Sequence, residues 1–133
     1  MRVLGYNATM NAPVFPPILN KFAEALPADP ESRNFRRQVQ GACYSFVQPD
    51  SFPRATLIAR SQKLGAALGL SPDTLGHDKF TRVFSGQQLL PGMQPYAMCY
   101  GGHQFGHWAG QLGDGRAINL GEVLTTGGQH QVL

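Results

Sequence analysis

Apolar residues recur at helical spacing at Ile18, Leu19, Phe22 and Leu26, which predicts a short helix over 18–26. Pro27 and Pro30 stop it. Residues 1–17 show no period and close on Pro13, Pro16 and Pro17. Residues 34–39 are polar and basic. Residues 42–47, ACYSFV, predict a short strand bounded by Gly41 and Pro49. The longest apolar stripe runs through Leu57, Ile58, Leu64, Ala67 and Leu68. It predicts a helix that starts near Ser51 as N-cap, carries Pro53 in its first turn and ends near Gly69. Ser71-Pro72-Asp73 opens another helical turn. Residues 78–84 suggest a further one, with Phe80, Val83 and Phe84 inward and Gly86 at its end.

After Pro95 the texture changes. Proline is absent, apolar residues alternate, and nine of the 16 glycines lie in residues 96–133. Residues 117–123 read as a strand, Thr125-Thr126-Gly127-Gly128 as a hairpin turn, and residues 129–133 as the return strand. The expected fold class is therefore α+β, with N-terminal helices over 1–95 followed by a glycine-rich antiparallel sheet over 96–133. The chain stops inside an apolar run, Val132-Leu133, which reads as a strand truncated midway.

Composition narrows the class. At 133 residues the chain has the length of one domain, and 42% of it is hydrophobic. Charged residues are 14%, against a usual ~25%, and aromatics are 10%, the reverse of a disordered segment. Net charge is +3, and the arginines are scattered apart from Arg33, Arg36 and Arg37. That tolerates a phosphate ligand but lacks the dense basic face of a nucleic-acid binder. No run approaches the ~20 apolar residues of a membrane span. The start has no continuous apolar core of a signal peptide, so a soluble, reducing compartment is expected. Cys43 and Cys99 sit in apolar runs and are expected to be buried free thiols.

The chemistry-bearing stretch is YGGHQFGHWAGQLGDGR, residues 100–116. One reading is a phosphate cradle. Gly110, Gly113 and Gly115 would let backbone N–H groups approach an anion, and Arg116 would add a charged fork. No G-K-[ST] follows, which excludes a Walker A loop, and no helix follows, which argues against a dinucleotide-binding unit. Strand, glycine loop, strand is instead the layout of the loop that covers ATP in protein kinases. The competing reading is a plain hairpin with Asp114-Gly115 as its turn and Arg116 solvated. A metal site would use His103 and His107, but the surrounding glycines disfavour a helix and no further ligand stands at a suitable spacing. On a strand the two histidines would share a face. A Cys99–His103 nucleophilic pair would need an electropositive, partly exposed setting that the apolar neighbours Met98 and Tyr100 do not suggest. Phe105 and Trp108 are expected in the core rather than as a base-stacking platform.

The run YGGHQFGHWAGQLGDGRAINLGE resembles the signature of the SelO family, and LPADP, GACYSFVQPD, the helix ending in LGL and Ser85-Gly86 resemble its upstream pieces. The resemblance covers residues 18–133. It implies a protein-kinase-like fold, of which 96–133 would be the beginning of the N-lobe. It implies ATP bound in a flipped orientation and transfer of AMP to Ser, Thr or Tyr hydroxyls of proteins, with Mg²⁺ required. Gly113, Gly115 and Arg116 match the family's nucleotide-contacting G-D-G-R positions. The family's lysine, metal ligands, catalytic base and redox-linked cysteine match no residue here. No catalytic or metal-binding role is therefore assigned within this chain, which alone would be inactive. The family suggests the cytoplasm, or mitochondria in a eukaryote. The alternative is a truncated, non-enzymatic piece that docks onto a partner through an unpaired strand edge.

Overall fold

The computed structural model describes residues 12–50, 52–112 and 117–133. Four short helices and six short strands make a mixed α+β fold, in chain order α1(Lys21–Ala25), β1(Tyr44–Phe46), α2(Gln62–Ala67), α3(Pro72–Gly76), α4(Asp78–Phe84), β2(Tyr96–Met98), β3(Tyr100–Gln104), β4(His107–Leu112), β5(Glu122–Leu124) and β6(His130–Val132). None of the described helices is long and apolar enough to cross a membrane.

The helices start where capping chemistry allows. Ser61, not Ser51, caps the second helix: its Oγ accepts from Leu64 N at 3.1 Å. The stripe read as one helix from Ser51 thus holds only from residue 62. Ser51 lies outside the described residues. Ile58 stands 97% exposed ahead of the helix. Ser71 caps α3 by accepting from Thr74 N at 3.1 Å, with Pro72 in the first turn. The His77 ring caps α4 through Lys79 N at 3.0 Å. Val83 on α4 is fully buried, whereas Phe84, expected inward, is exposed.

The strands form three two-stranded antiparallel ladders, β1–β2, β3–β4 and β5–β6, rather than the single sheet expected. In β1–β2, Tyr44 faces Met98 and Phe46 faces Tyr96. Phe22 of α1 stacks on Tyr96 at 5.2 Å, and Tyr44 donates its hydroxyl to Ala23 O at 2.6 Å. Burial foremost, then the negative charge of Glu122 and the neighbouring Tyr44, raise the Tyr96 phenol above its ordinary 10.0.

Backbone bridges tie the ladders together. Tyr96 and Asn119 exchange two N–H···O bonds at 2.9 Å, and Leu19 and Glu122 exchange two at 2.7 and 2.8 Å. Gly121 lies between those bridges at φ +145°, which is why the strand read over 117–123 splits there. The core lies on this seam. Leu68, Leu70, Leu75 and Val123 form one cluster; Val83, Leu90, Met93 and Leu120 form the next. Phe15, Ile18 and Leu133 pack against both.

Candidate functional site

The sequence-derived nucleotide residues Gly113, Gly115 and Arg116, and Asp114 of the competing hairpin, lie outside the described residues. Their flanks are described. Leu112, at the end of β4, and Ala117 both line one open cavity of about 470 Å³. Its wall includes Arg36, Arg37, Ser45 and Cys99. A second hollow of about 530 Å³ adjoins it, sharing Asn34, Val47, Ala97 and Ala117, and reaches Ser85 and Gly86.

The basic wall is built by a self-wound loop over 29–39. Arg37 sits at its centre. The guanidinium donates to Asp29 Oδ2 and to the carbonyls of Glu31, Arg33 and Phe35 at 3.1–3.2 Å. One planar fork therefore satisfies three backbone carbonyls of the loop. Asp29 is fixed in turn by Glu31 N at 3.1 Å and Ser45 Oγ at 2.8 Å. The Glu31 amide foremost, with the Ser45 hydroxyl and Arg37, holds the Asp29 carboxyl below its ordinary 3.8, against the opposing pull of burial. Arg33 pairs with Glu31 at 2.7 Å and holds that carboxyl below its ordinary 4.5. Arg36 is exposed and has no partner among the described residues, which leaves its guanidinium available at the cavity wall. Residue spacing singled out this arginine group but assigned it nothing; the deciding signal is the tertiary pairing that occupies Arg33 and Arg37 and spares Arg36.

The β3–β4 hairpin leads into residues 113–116. Its turn is Phe105-Gly106, both at positive φ, +51° and +85°. Gly110, read from sequence as part of a glycine loop, lies within β4, and the rest of that loop lies outside the described residues. The register pairs His103 with Trp108 and Gln104 with His107, and shifts between Gly101 and His103. Gly110, at φ +71°, lies in the stretch where the register shifts and supplies the extra residue of a bulge.

Three expectations fail for physical reasons. His103 and His107 lie on opposite faces, because a turn separates them and adjacent strand positions alternate. Among the described residues no three His, Cys, Asp or Glu side chains converge on a point that could hold a metal ion. Phe105 is 96% exposed and Trp108 63%, so neither enters the core. The two cysteines are half-buried, not buried: Cys99 N donates to Cys43 O at 2.8 Å, so their backbones pair at the end of β1–β2, and Cys99 Sγ lies 4.0 Å from Ser45 Oγ.

Comparison with known proteins gives the chain's kin. The sequence profile of the family described as protein adenylyltransferase SelO matches residues 32–133. The protein nucleotidyltransferase YdiU of Rhodopirellula baltica is 53% identical over 114 residues, covering 86% of this chain and 21% of that protein. The protein of the same name from Methylobacillus flagellatus is 54% identical over 114 residues, covering 86% of this chain and 22% of that protein. A third, from Azoarcus sp., is 55% identical over 105 residues, covering 79% and 20%. The chain thus spans about a fifth of the length of these relatives.

Proposed function

The chain belongs to the SelO family, and on that premise we propose that it supplies the glycine-rich nucleotide-binding portion of a protein adenylyltransferase. The observation that carries this reading is the cavity that Leu112 and Ala117 line from the two ends of residues 113–116, with Arg36 and Arg37 in the same wall. In this reading residues 96–133 begin a kinase-like N-lobe, and residues 1–95 brace it.

ATP is the donor. Gly113 and Gly115 present backbone N–H groups to phosphate oxygens, and Arg116 adds a charge-assisted contact. A Ser, Thr or Tyr hydroxyl oxygen of a protein attacks the α-phosphorus. The bond from that phosphorus to the oxygen bridging to the β-phosphate breaks, pyrophosphate leaves, and AMP stays on the hydroxyl. The hydroxyl proton passes to a base that no residue of this chain supplies. Magnesium accompanies triphosphates in such chemistry and would offset their charge; among the described residues no three His, Cys, Asp or Glu side chains converge to hold it. The chain alone is inactive in this reading, and the reaction takes place in the cytoplasm, or in mitochondria in a eukaryote.

The test uses α-labelled ATP, magnesium and a protein substrate. Transfer is expected from a full-length relative carrying this segment and not from the 133 residues alone. Arg116→Ala in the full-length protein should raise KM for ATP tenfold or more, since such contacts contribute ~1.5–3 kcal/mol. Unchanged KM and kcat would return Arg116 to the solvated hairpin reading. A second reading, a non-enzymatic docking piece, rests on large apolar side chains left exposed, such as Ile58 at 97% and Phe52 at 61%. A concentration-independent monomer with a cooperative melt counts against it.

A further inference from the structure

We propose that residues 54–64 are the face by which this chain docks onto an apolar, acidic surface in the remaining part of a full-length family protein; this rests on the reading of the chain as one portion of a longer enzyme of the family. Large apolar side chains gather here in water. Ile58 is 97% exposed, Leu64 54% and Leu57 40%, with Phe52 at 61% just ahead of them. Single exposed apolar residues are ordinary on a protein surface, whereas a group of them marks a contact.

The segment is held at both ends. The Gln87 side-chain amide donates to Phe52 O. Arg60 donates to Leu75 O at 3.0 Å, and Ser61 caps α2. Between these ties, no backbone–backbone hydrogen bond among the described residues engages 54–60. Apolar side chains and backbone N–H and C=O groups are therefore presented together, on a strap whose ends are already fixed.

Charge selects the occupant. From Phe52 to Pro72 the chain carries Arg54, Arg60 and Lys63 and no Asp or Glu. None of the three makes an ion pair among the described residues. A two-fold contact with a second copy would lay these cations against themselves. An anionic membrane fits less well, because lipid surfaces take amphipathic helices and the residues before Ser61 are not helical. A protein surface with carboxylates around an apolar centre satisfies both the charge and the exposed side chains. In the relatives the aligned portion is about a fifth of the protein, which leaves about four-fifths of the same polypeptide to supply that surface at the high effective concentration of a tethered partner.

Ile58→Cys tests the contact in two settings: the 133-residue chain, and a chimera in which these residues replace the matching fifth of the Rhodopirellula protein. Maleimide labelling at position 58 is followed by peptide mass spectrometry, which separates it from Cys43 and Cys99. The expected result is labelling slower in the chimera by about tenfold or more, as for a covered site that must open first. Equal rates overturn the proposal. Arg54→Glu combined with Lys63→Glu should restore fast labelling in the chimera, and continued protection overturns the acidic surface. Slow labelling of the 133-residue chain that tracks its own concentration assigns the face to a second copy; slow labelling of that chain on phosphatidylserine vesicles assigns it to lipid; either overturns the proposal. AMP transfer is measured separately, on the chimera with Ile58 retained. An active chimera that labels fast overturns the docking and leaves the adenylyltransferase reading standing, and a protected, inactive one does the reverse. Hydrogen exchange across the matching segment of the unmodified Rhodopirellula protein repeats the test without a chimera. Slow exchange there supports the docking, and exchange as fast as in the 133-residue chain overturns it.

Discussion

The amide of Val39 donates to Gln111 Oε1 at 2.7 Å, joining the arginine-centred loop over 29–39 to the strand that leads into residues 113–116. The two residues are 72 positions apart, and both line the cavity. Removal of the acceptor should release the loop. Gln111→Met is expected to speed hydrogen exchange of the Val39 amide by up to about tenfold, the scale of one lost hydrogen bond. Gln111→Glu keeps an acceptor and should leave the rate near that of the parent chain. Equal acceleration in both variants would show that side-chain size, not the hydrogen bond, holds the loop.

The same loop sets a pH dependence. The Asp29 and Glu31 carboxyls are both held below their ordinary 3.8 and 4.5 in the folded chain. Their contribution to stability is therefore fully present above those values. It is lost as pH falls through the lower folded-state values. Asp29→Asn should flatten the acid side of a plot of melting temperature against pH and leave the slope near neutrality unchanged. An acid limb identical to that of the parent chain would show that Asp29 titrates alike in both states.

Gly65 on α2 faces Leu75 of α3, and an added Cβ would fall 2.5 Å from Leu75 Cδ1. Alanine favours helix over glycine by ~1 kcal/mol, so propensity and packing oppose each other here. Leu75 is buried in the first core cluster and has little room to turn aside. Packing should win, and Gly65→Ala should destabilise the fold by about 1–2 kcal/mol in urea denaturation. A more stable variant would show that the α2–α3 contact yields.

Phe105 holds φ +51° at the tip of the β3–β4 hairpin, in a two-residue turn where asparagine is favoured. Its side chain is almost wholly in water, so little packing is lost on replacing it. Phe105→Asn should raise the melting temperature, by about 1 kcal/mol of relieved backbone strain. A lowered melting temperature would assign the phenyl ring a stabilising contact.

Local chemistry made much of the fold legible. Ser71-Pro72 marks a helix start because cap and first turn need only neighbouring atoms, and the α3 helix begins there. Thr125 to Gly128 marks a hairpin turn for the same reason, and β5 and β6 flank it. The stripe from Leu57 misled because helical spacing is a condition for a helix and not a cause of one. The preceding residues pack against little, and the chain gains nothing by coiling before Ser61. The histidine pair misled because a strand's alternation holds only until it turns, and Phe105-Gly106 turns it.

The sequence by itself determined the family, the α+β class and the glycine-rich stretch where the candidate chemistry lies, since a long run of uncommon residues is specific without any coordinates. Only the tertiary structure decided which arginine is spared. Arg33, Arg36 and Arg37 read alike in the chain. Asp29 and Glu31, with a ring of carbonyls, occupy Arg37 and Arg33 and leave Arg36 at the cavity wall. Only the tertiary structure turned Trp108 outward over Gly101, because the bulge at Gly110 sets which residues of β4 face which side. Both outcomes depend on contacts between distant or register-shifted positions, and spacing along a chain carries no distance through space.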